Sequence, residues 1–248
     1  MVVTGIGGGA LVERSADPDR VRVALDLWSG DRPDLLEILD SDGALAARVV
    51  AVLAASRSLA GTLREDPEAI DQLRPTAPRP TVPPPGSAVA DLVRWKRHEL
   101  LRIAGADLVG ALDLDHVVVA LSDLATDVLH RALGHARSEL HDDRVAVVGM
   151  GKLGGRELNY ASDVDLLLVG EGDPQRLERA GRVLLEVAAR CFRVDANLRP
   201  EGRDGSLVRS VDAFEAYWRR WADAWERQAL LKARMVAGSN SVSIRSRR

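Results

Sequence analysis

The sequence predicts an α+β fold, in which a mostly helical chain surrounds a small mixed β-sheet. Much of the 248-residue chain has apolar side chains recurring at helical spacing. Two short runs, Val145–Gly149 and Val164–Val169, have the composition of buried strands, and Cys191–Leu198 is a third candidate. An amphipathic segment, Pro174–Arg190, separates the last two runs, and a helix between two strands places them parallel.

Residues 1–74 are predicted to form a helical region that carries no chemistry. Residues 1–13 are apolar and glycine-rich but short and without a basic leader, so we expect a frayed terminus and no membrane span. From Asp19 to Leu73 the pattern is helical, and Pro33 suits the first turn of a helix. The sequence Asp66-Pro67-Glu68 predicts the start of one further short helix.

Residues 75–87 are predicted to form a linker. They hold six of the eleven prolines, which excludes a helix or a central strand and favours an extended, semi-rigid spacer. Two long helices are predicted after it, Ala88–Gly105 and Leu114–His135. The first would bury an apolar face made of Leu92, Trp95, Leu100 and Ile103.

A glycine-rich turn and two aspartates lie between the first two predicted strands. Asp163 and Asp165 are one residue apart at the start of a strand, so their carboxylates would project from the same face. Such charges repel unless a cation lies between them, and magnesium is commonly held by one or two carboxylates together with substrate phosphates. The structural alternative is that Ser162 and Asp163 form a turn and that Asp165 is an exposed strand residue.

Two other glycine-rich motifs that bind phosphate, the dinucleotide-binding motif and the P-loop, fit this stretch poorly. Residues 149–154 read G-x-G-x-x-G, and Glu171 lies about twenty residues further on, as in dinucleotide-binding folds. A parallel crossover needs a dozen or more residues, whereas only residues 155–162 precede the next strand. A P-loop is excluded because Lys152 is followed by Leu153 instead of serine or threonine.

Three stretches resemble a known family in the same order: GMGKLGGRELNYASDVDLLLV, RVDANLRPEGRDGSLVRS and WERQALLKARMVAG. Leu153-Gly154-Gly155 followed by Asp163-Val164-Asp165 resembles the signature of the nucleotidyltransferase superfamily, whose fold is that of polymerase β. The wider text is similar to the bacterial bifunctional glutamine synthetase adenylyltransferase/adenylyl-removing enzymes. The resemblance implies that residues 88–238 form a nucleotidyltransferase-like catalytic domain.

The resemblance also implies a set of site residues. The catalytic and magnesium-binding carboxylates would be Asp163, Asp165 and Asp195. The alternative for Asp195 is an ion pair with Arg193 or Arg199. The residues expected to bind nucleotide or phosphate are Gly151, Lys152, Gly154, Gly155, Ser162, Arg199 and Lys232.

Two of these residues also have local arguments. Arg199 follows the third strand, and arginine suits bidentate contacts with phosphate, with surface solvation as the alternative. The last helix is predicted from Asp212 to Ala237, with a buried stripe made of Trp218, Trp221, Trp225 and Ala229. Lys232 continues that stripe, so it either reaches outward to solvent or meets an anion. Glu226 and Arg234 are weaker candidates.

The expected activity is what the family resemblance implies. Such enzymes have two fused nucleotidyltransferase domains: one removes AMP from a tyrosine of glutamine synthetase with phosphate, releasing ADP, and the other attaches AMP from ATP. The text RELNYASDVD and the helices before it resemble the N-terminal, adenylyl-removing half. The expected partners are therefore glutamine synthetase, phosphate and ADP or ATP, with a nitrogen-signalling protein acting on the full-length enzyme.

Three alternatives stay open at this point. The chain could be the adenylylating half, a non-catalytic module that binds glutamine synthetase or a regulator, or a nucleotidyltransferase with another acceptor. Residues 239–248, SNSVSIRSRR, depart from the family text and predict a truncated or frame-shifted chain.

Composition excludes several classes of protein. Hydrophobic and charged residues make up 46% and 29% of the chain, as in ordinary soluble proteins. A net charge of -3 gives no electrostatic basis for binding nucleic acid. The single cysteine, Cys191, cannot form an internal disulfide, which suits a reducing cytosol. We therefore expect a cytoplasmic protein without a membrane segment.

Overall fold

The computed structural model describes residues 6–31, 37, 39–140 and 144–238. Its architecture is α+β, a mostly helical chain around a small mixed β-sheet, which confirms the predicted fold class. The predicted roles of Pro33 and of residues 239–248 lie outside the described residues. No helix in the described part of the chain is both long and apolar enough to cross a membrane.

The chain folds into two compact units. One comprises Met1–Thr81 with Arg97–Val117, and the other comprises Val82–Lys96 with Val118–Arg248. The functional boundaries predicted at residues 75 and 88 remain a prediction, because compactness alone does not identify which residues act in catalysis.

Short helices dominate the first unit. They are α1 (Ile6–Glu13), α2 (Pro18–Asp31), α3 (Gly43–Ala55), α4 (Arg57–Glu65) and a 3-10 helix, Pro67–Leu73. Helix α1 corrects the expectation of a frayed start over its residues, because Leu11 and Val12 pack into the core of the unit. The 3-10 helix begins where predicted, and the Asp66 side chain accepts a hydrogen bond from the Glu68 amide. Leu45, Val49 and Leu53 form the centre of the core on α3.

The two long predicted helices are present. They are α5 (Val89–Asp107) and α6 (Leu114–Leu140), each extending beyond its predicted end. On α5 the expected apolar face is formed: Leu92, Trp95 and Ile103 are buried, and Leu100 is partly buried.

The second unit is built on a sheet. Among the described residues five strands form it: β1 (Val145–Gly149), β2 (Val164–Gly170), β3 (Val194–Asp195), β4 (Val208–Arg209) and β5 (Arg234–Ala237). The order is β3-β2-β1-β5, and β4 pairs with β2 further along the edge that β3 occupies. Strand β1 is antiparallel to β2 and β5, whereas β3 and β4 are parallel to β2. The antiparallel β1–β2 pair follows from their short connection and is incompatible with a dinucleotide-binding crossover.

Helix α8 covers one face of the sheet. It follows α7, the single turn Gly151–Gly154, and runs over Pro174–Ala189 as predicted. The Asp173 side chain accepts from the Arg176 amide at 2.9 Å, which starts the helix. Its buried residues include the predicted set: Leu177, Ala180, Leu184, Val187 and Ala188. The strand that follows is only Val194–Asp195, shorter than the predicted Cys191–Leu198.

The C-terminal part differs from the single long helix predicted over residues 212–237. The chain forms α9 (Val211–Arg220), α10 (Ala224–Ala229), a 3-10 turn (Leu230–Lys232) and strand β5. Helix α9 ends at Arg220 with Trp221 as its C-cap. The Glu226 carboxylate then accepts from the Asp223 amide at 2.8 Å, which begins a new helix. Strand β5 then pairs with β1, a tertiary contact that helical spacing cannot reveal.

The predicted tryptophan stripe is correspondingly broken. Trp221 is 75% exposed, so its expected core role is wrong. Trp218 is partly buried and stacks on Phe214, with ring centroids 5.0 Å apart. Together with Ala229 and Leu230 they cover the face of the sheet opposite α8.

Candidate functional site

Strands β2 and β3 bring two of the predicted carboxylates together. Asp165 and Asp195 are direct partners in the parallel register. Burial raises the pKa of the Asp165 carboxyl, and the charges of Asp195 and then Asp163 raise it further, whereas Lys152 lowers it. Proximity of like charges and partial burial both oppose ionisation here, so a bound cation would relieve this repulsion.

Asp163 is oriented by an arginine. Arg193 Nε donates to its carboxylate, and Arg193 Nη2 donates to the Ala161 carbonyl at 3.3 Å. The predicted alternative for Asp195, an ion pair with Arg193 or Arg199, is not what forms; its Oδ1 accepts from the Asn197 amide at 2.7 Å. No three acidic, histidine or cysteine side chains in the described residues form a metal-binding group.

Two glycines of the turn, Gly151 and Gly154, lie so close to other atoms that a side chain would not fit. Gly151 has a left-handed φ of +49°, and an added Cβ there would lie 2.8 Å from Asp165 Oδ2. An added Cβ at Gly154 would overlap the backbone oxygens of Lys232 and Gly149. Glycine is therefore needed so that the turn can sit against the Asp165 carboxylate on one side and the Lys232 backbone on the other.

The segment that leads into β5 clamps this turn. Arg234 donates from Nε to the Gly154 carbonyl and from Nη2 to the Leu153 carbonyl, both at 3.2 Å. The Lys232 ammonium lies 2.6 Å from Glu157 Oε2, beside Gly155. Lys232 thus lies at the glycine turn, on a 3-10 turn instead of the predicted helix, and its anionic partner here is a carboxylate.

The backbone amides of the glycine turn fall into two groups, those that donate to carbonyls within the turn and those at its start. Gly154 N donates to Met150 O at 2.9 Å, and Gly155 N donates to Gly151 O at 3.1 Å. The earlier amides, at Gly151 and Lys152, lie in the first turn of α7, where no intrahelical carbonyl precedes them.

Ser162 and Arg199 stabilise loops. The Ser162 hydroxyl donates to Asn159 Oδ1 at 2.9 Å and accepts from the Asn159 amide at 3.1 Å. Arg199 donates to the backbone carbonyls of Ala196, Arg203 and Gly205, which closes the loop after β3. Each residue therefore holds a segment adjoining a carboxylate.

Several structural contributors were not predicted from the sequence, and Arg234 was named only as a weaker candidate. Glu157 pairs with Lys232 across 75 positions of sequence, and Arg234 reaches back 80 positions. On α6, the Ser122 hydroxyl accepts from the Leu158 amide at 3.2 Å, and Asp123 binds Arg156 at 2.8 Å. These interactions fix the loop between the glycine turn and Asp163, and only the tertiary fold creates them.

The donor set fits a hard divalent cation. Magnesium takes oxygen ligands, usually one or two carboxylates and substrate phosphates. Asp165 and Asp195 supply two carboxylates on adjacent strands, and their repulsion contributes to the raised pKa of Asp165. Asp163 is the third predicted ligand, and in this arrangement it is bound to Arg193.

Comparison with known proteins identifies the family. The family model described as glutamate-ammonia ligase adenylyltransferase matches residues 81–248. The chain is similar to bifunctional glutamine synthetase adenylyltransferase/adenylyl-removing enzymes of several bacteria. It is 42% identical over 234 residues to that of Streptomyces avermitilis, covering 84% of this chain and 23% of the relative. The enzyme of Mycobacterium avium is 38% identical over 258 residues, and the match covers 92% of this chain and 26% of the relative. The enzyme of Streptomyces coelicolor is 45% identical over 163 residues, and the match covers 57% of this chain and 16% of the relative.

The chain spans about a quarter or less of the length of these relatives. The matched region nevertheless contains the glycine turn and all three predicted carboxylates. Because the family match also covers more than half of the chain, the protein belongs to the glutamate-ammonia ligase adenylyltransferase family.

Proposed function

We propose that residues 88–238 form a cytoplasmic nucleotidyltransferase domain that removes AMP from adenylylated glutamine synthetase by phosphorolysis. In this reaction an oxygen of inorganic phosphate attacks the phosphorus of adenylyl-tyrosine. The bond from phosphorus to the tyrosine oxygen breaks, that oxygen takes up a proton, and the products are ADP and glutamine synthetase with its tyrosine side chain unmodified. The text RELNYASDVD supports this direction, since it resembles the removing half of the family.

The observation that carries the proposal is the pair Asp165–Asp195 beside the glycine turn. Two carboxylates on adjacent strands, one of them 2.8 Å from where a Gly151 side chain would begin, form a compact acidic site next to backbone amides. A phosphate ester is itself an anion, so acidic residues alone would repel it. The site therefore needs a cation, which the donor set fits.

The chain's own residues would then act in three ways. Asp165 and Asp195, with Asp163, would hold magnesium, which when bound neutralises phosphoryl charge. Lys152, whose charge is felt by Asp165, and the amides that begin α7 would bind phosphate oxygens. The clamp of Arg234 on the Leu153 and Gly154 carbonyls would keep those amides oriented.

Other proposed binding residues would contribute from the edges of the site. Lys232 would exchange Glu157 for a phosphate oxygen, since this exposed ion pair contributes little stability. Gly155, Ser162 and Arg199 would shape the loops that border the nucleotide. The protein partner would be glutamine synthetase, and regulation by a nitrogen-signalling protein would belong to the longer enzyme.

The test is phosphate-dependent release of ADP from adenylylated glutamine synthetase. The full chain is incubated with magnesium and phosphate beside an Asp163→Asn, Asp165→Asn double variant. Glu171→Gln is the matched control, because Glu171 is an exposed acidic residue that the proposal leaves out of the site. We expect ADP from the wild type and the control and, because magnesium binding is lost, roughly a hundredfold less from the double variant.

Circular dichroism of each protein separates loss of chemistry from loss of folding. No ADP from a folded wild-type chain would refute the proposed activity and favour a binding module. Transfer of label from ATP to unmodified glutamine synthetase would instead indicate the adenylylating direction. Loss of activity in Glu171→Gln as large as in the double variant would show that the effect is not specific to the proposed carboxylates.

A further inference from the structure

Arg193 is placed beside the acidic site by the same strand pairing that builds the site. Strands β2 and β3 are in parallel register, and Asp163 and Arg193 each lie one residue before the start of a strand. The Val164 amide donates to the Arg193 carbonyl at 2.9 Å, which continues the pairing to these residues. Side chains two residues apart along a strand project from the same face. Arg193 therefore shares one face of the sheet with all three predicted carboxylates.

The ion pair between Arg193 and Asp163 lies at the surface. The two side chains are 75% and 42% exposed. Arg193 Nε donates to the carboxylate, and Nη2 donates to the Ala161 carbonyl at 3.3 Å. An ion pair that is exposed in this way contributes little stability, because water and salt ions compete for both partners. The guanidinium can therefore leave this carboxylate for another anion without disturbing the fold.

Two other arginines near the site are bound to backbone carbonyls. Arg199 donates to three carbonyls of the loop after β3, and Arg234 donates to two carbonyls of the glycine turn. Contact with a ligand would release the segments that these two arginines hold. Arg193 differs, because its carboxylate partner is itself a predicted magnesium ligand. A cation bound at Asp163 would free the charge of Arg193 for an anion.

We propose that Arg193 binds the inorganic phosphate of the reaction, and that it becomes available when magnesium replaces it at Asp163. The inference rests on the proposed function, since phosphate is the second substrate of phosphorolysis. Arginine presents a planar fork of donors that suits two oxygens of one phosphate group. Magnesium and phosphate would then bind cooperatively, each raising the affinity for the other by the same factor. Arg193 takes no part in the bond changes.

The test measures the binding of the two ions, alone and together. Each full-length protein is titrated calorimetrically with magnesium, and with inorganic phosphate in the presence and absence of magnesium. The variants are Arg193→Ala and Arg193→Lys, which keeps the charge but not the fork of donors. Arg182→Ala is the matched control, because it removes another exposed arginine that pairs with a carboxylate, that of Glu178 on α8. Circular dichroism verifies that each variant is folded.

We expect Arg193→Ala to shift the two affinities in opposite directions. Without phosphate, magnesium should bind about two- to fivefold more tightly, because the competitor for Asp163 is gone. With magnesium present, phosphate should bind at least about tenfold more weakly, because charge-assisted hydrogen bonds are lost. Arg193→Lys should keep magnesium affinity within about twofold of the wild type and weaken phosphate less than alanine does. Arg182→Ala should bind both ions as the wild type does.

Magnesium affinity that is unchanged or weaker in Arg193→Ala would overturn the proposed competition. Phosphate affinity that is unchanged in this variant would overturn the phosphate site. Either result removes the proposal, because both effects follow from one exchange of partners by the same guanidinium.

Asp163→Asn provides a second, independent measurement. Loss of the carboxylate charge frees Arg193 without a metal, so phosphate should bind about two- to fivefold more tightly than to the wild type when magnesium is absent. This gain should disappear in the double variant Asp163→Asn, Arg193→Ala, which attributes it to the arginine and not to the lost negative charge. A gain that persists in the double variant would refute the role of Arg193.

The binding readout keeps this inference separate from the proposed reaction. Opposite shifts in magnesium and phosphate affinity support the role of Arg193 even when the wild type releases no ADP from glutamine synthetase. Release of ADP with the same KM for phosphate by the wild type and Arg193→Ala would uphold the reaction and refute the phosphate site. Absence of phosphate binding by a folded wild type in the presence of magnesium also refutes this site.

Discussion

The proposed chemistry depends on Asp165, and the surroundings of its carboxyl group disfavour ionisation. Partial burial and the nearby carboxylates of Asp195 and Asp163 raise its pKa above the ordinary value of 3.8. A group with a raised acid pKa binds its proton more tightly in the folded than in the unfolded chain. Ionisation of Asp165 therefore disfavours folding above the raised pKa, and this penalty is absent below about pH 3.8.

Asp165→Asn should consequently stabilise the fold while removing a metal ligand. In the absence of magnesium we expect the unfolding temperature at pH 7 to rise by roughly 1–3 °C, the response to a change of up to about 1 kcal/mol in a chain of this size. The rise should shrink as the pH approaches 4. Thermal unfolding followed by circular dichroism measures it, with the exposed Asp212→Asn as control. A lower unfolding temperature for Asp165→Asn at pH 7 would contradict the inference that the ionised Asp165 carboxylate destabilises the fold.

Gly154 shows how one missing side chain allows two backbones to meet. Its position against the Lys232 and Gly149 carbonyl oxygens leaves no space for a Cβ. Gly154→Ala should cost about 1–3 kcal/mol of unfolding free energy through overpacking. The control is Gly134→Ala in α6, where an added Cβ meets nothing within 4 Å and a gain of about 0.5–1 kcal/mol is expected. Urea denaturation compares the two; equal effects would show that the turn can move away from the Lys232 backbone.

At the scale of elements, the segment from α10 to β5 determines the geometry of the glycine turn. Strand β5 pairs with β1, and this pairing brings Lys232 and Arg234 to the turn that follows β1. The turn is thus held from outside its own sequence, by residues 75 to 81 positions later.

Arg234→Ala should loosen the turn without unfolding the sheet. Two hydrogen bonds to the Leu153 and Gly154 carbonyls are lost, which costs about 1–3 kcal/mol locally. We expect faster amide hydrogen exchange over residues 151–157 and a higher KM for phosphate. Arg227→Ala on the exposed side of α10 is the matched control. Unchanged exchange in Arg234→Ala would mean that the turn is rigid by itself.

At the scale of the whole molecule, charge is nearly balanced and each compact unit has its own core. The first unit is centred on α3, and the second on the sheet with α8 and α9 on its two faces. Acidic and basic residues number 37 and 34, and many form exposed pairs such as Arg156–Asp123. Such a surface has no net attraction for a polyanion.

The chain should therefore not bind duplex DNA. We expect no change in fluorescence anisotropy of a labelled duplex at physiological salt, because a chain with net charge -3 has no excess of positive charge to offer the phosphates. A basic DNA-binding domain serves as positive control. Saturable binding that weakens steeply with added salt would contradict this expectation.

The local pattern of residues in the sequence is sufficient to predict much of the fold. Helix α8, its Asp173 cap and its buried stripe follow from spacing and capping chemistry, as do the strands on either side of the glycine turn. The paired aspartates were visible for the same reason, because alternation along a strand is a local rule. The last helix was misjudged because tryptophans at helical spacing persist across the Asp223–Glu226 cap that divides it.

The sequence by itself determined the α+β class, the family, and a glycine turn followed by carboxylates. These are carried by residue types at fixed short spacings. Only the tertiary structure decided that Asp195 lies beside Asp165, that Arg193 holds Asp163, and that residues after α10 return as β5 to clamp the turn. Pairing between strands far apart in the chain depends on the free energy of the whole packed sheet. No local spacing encodes that quantity, so the arrangement of the site emerges only when the sheet is assembled.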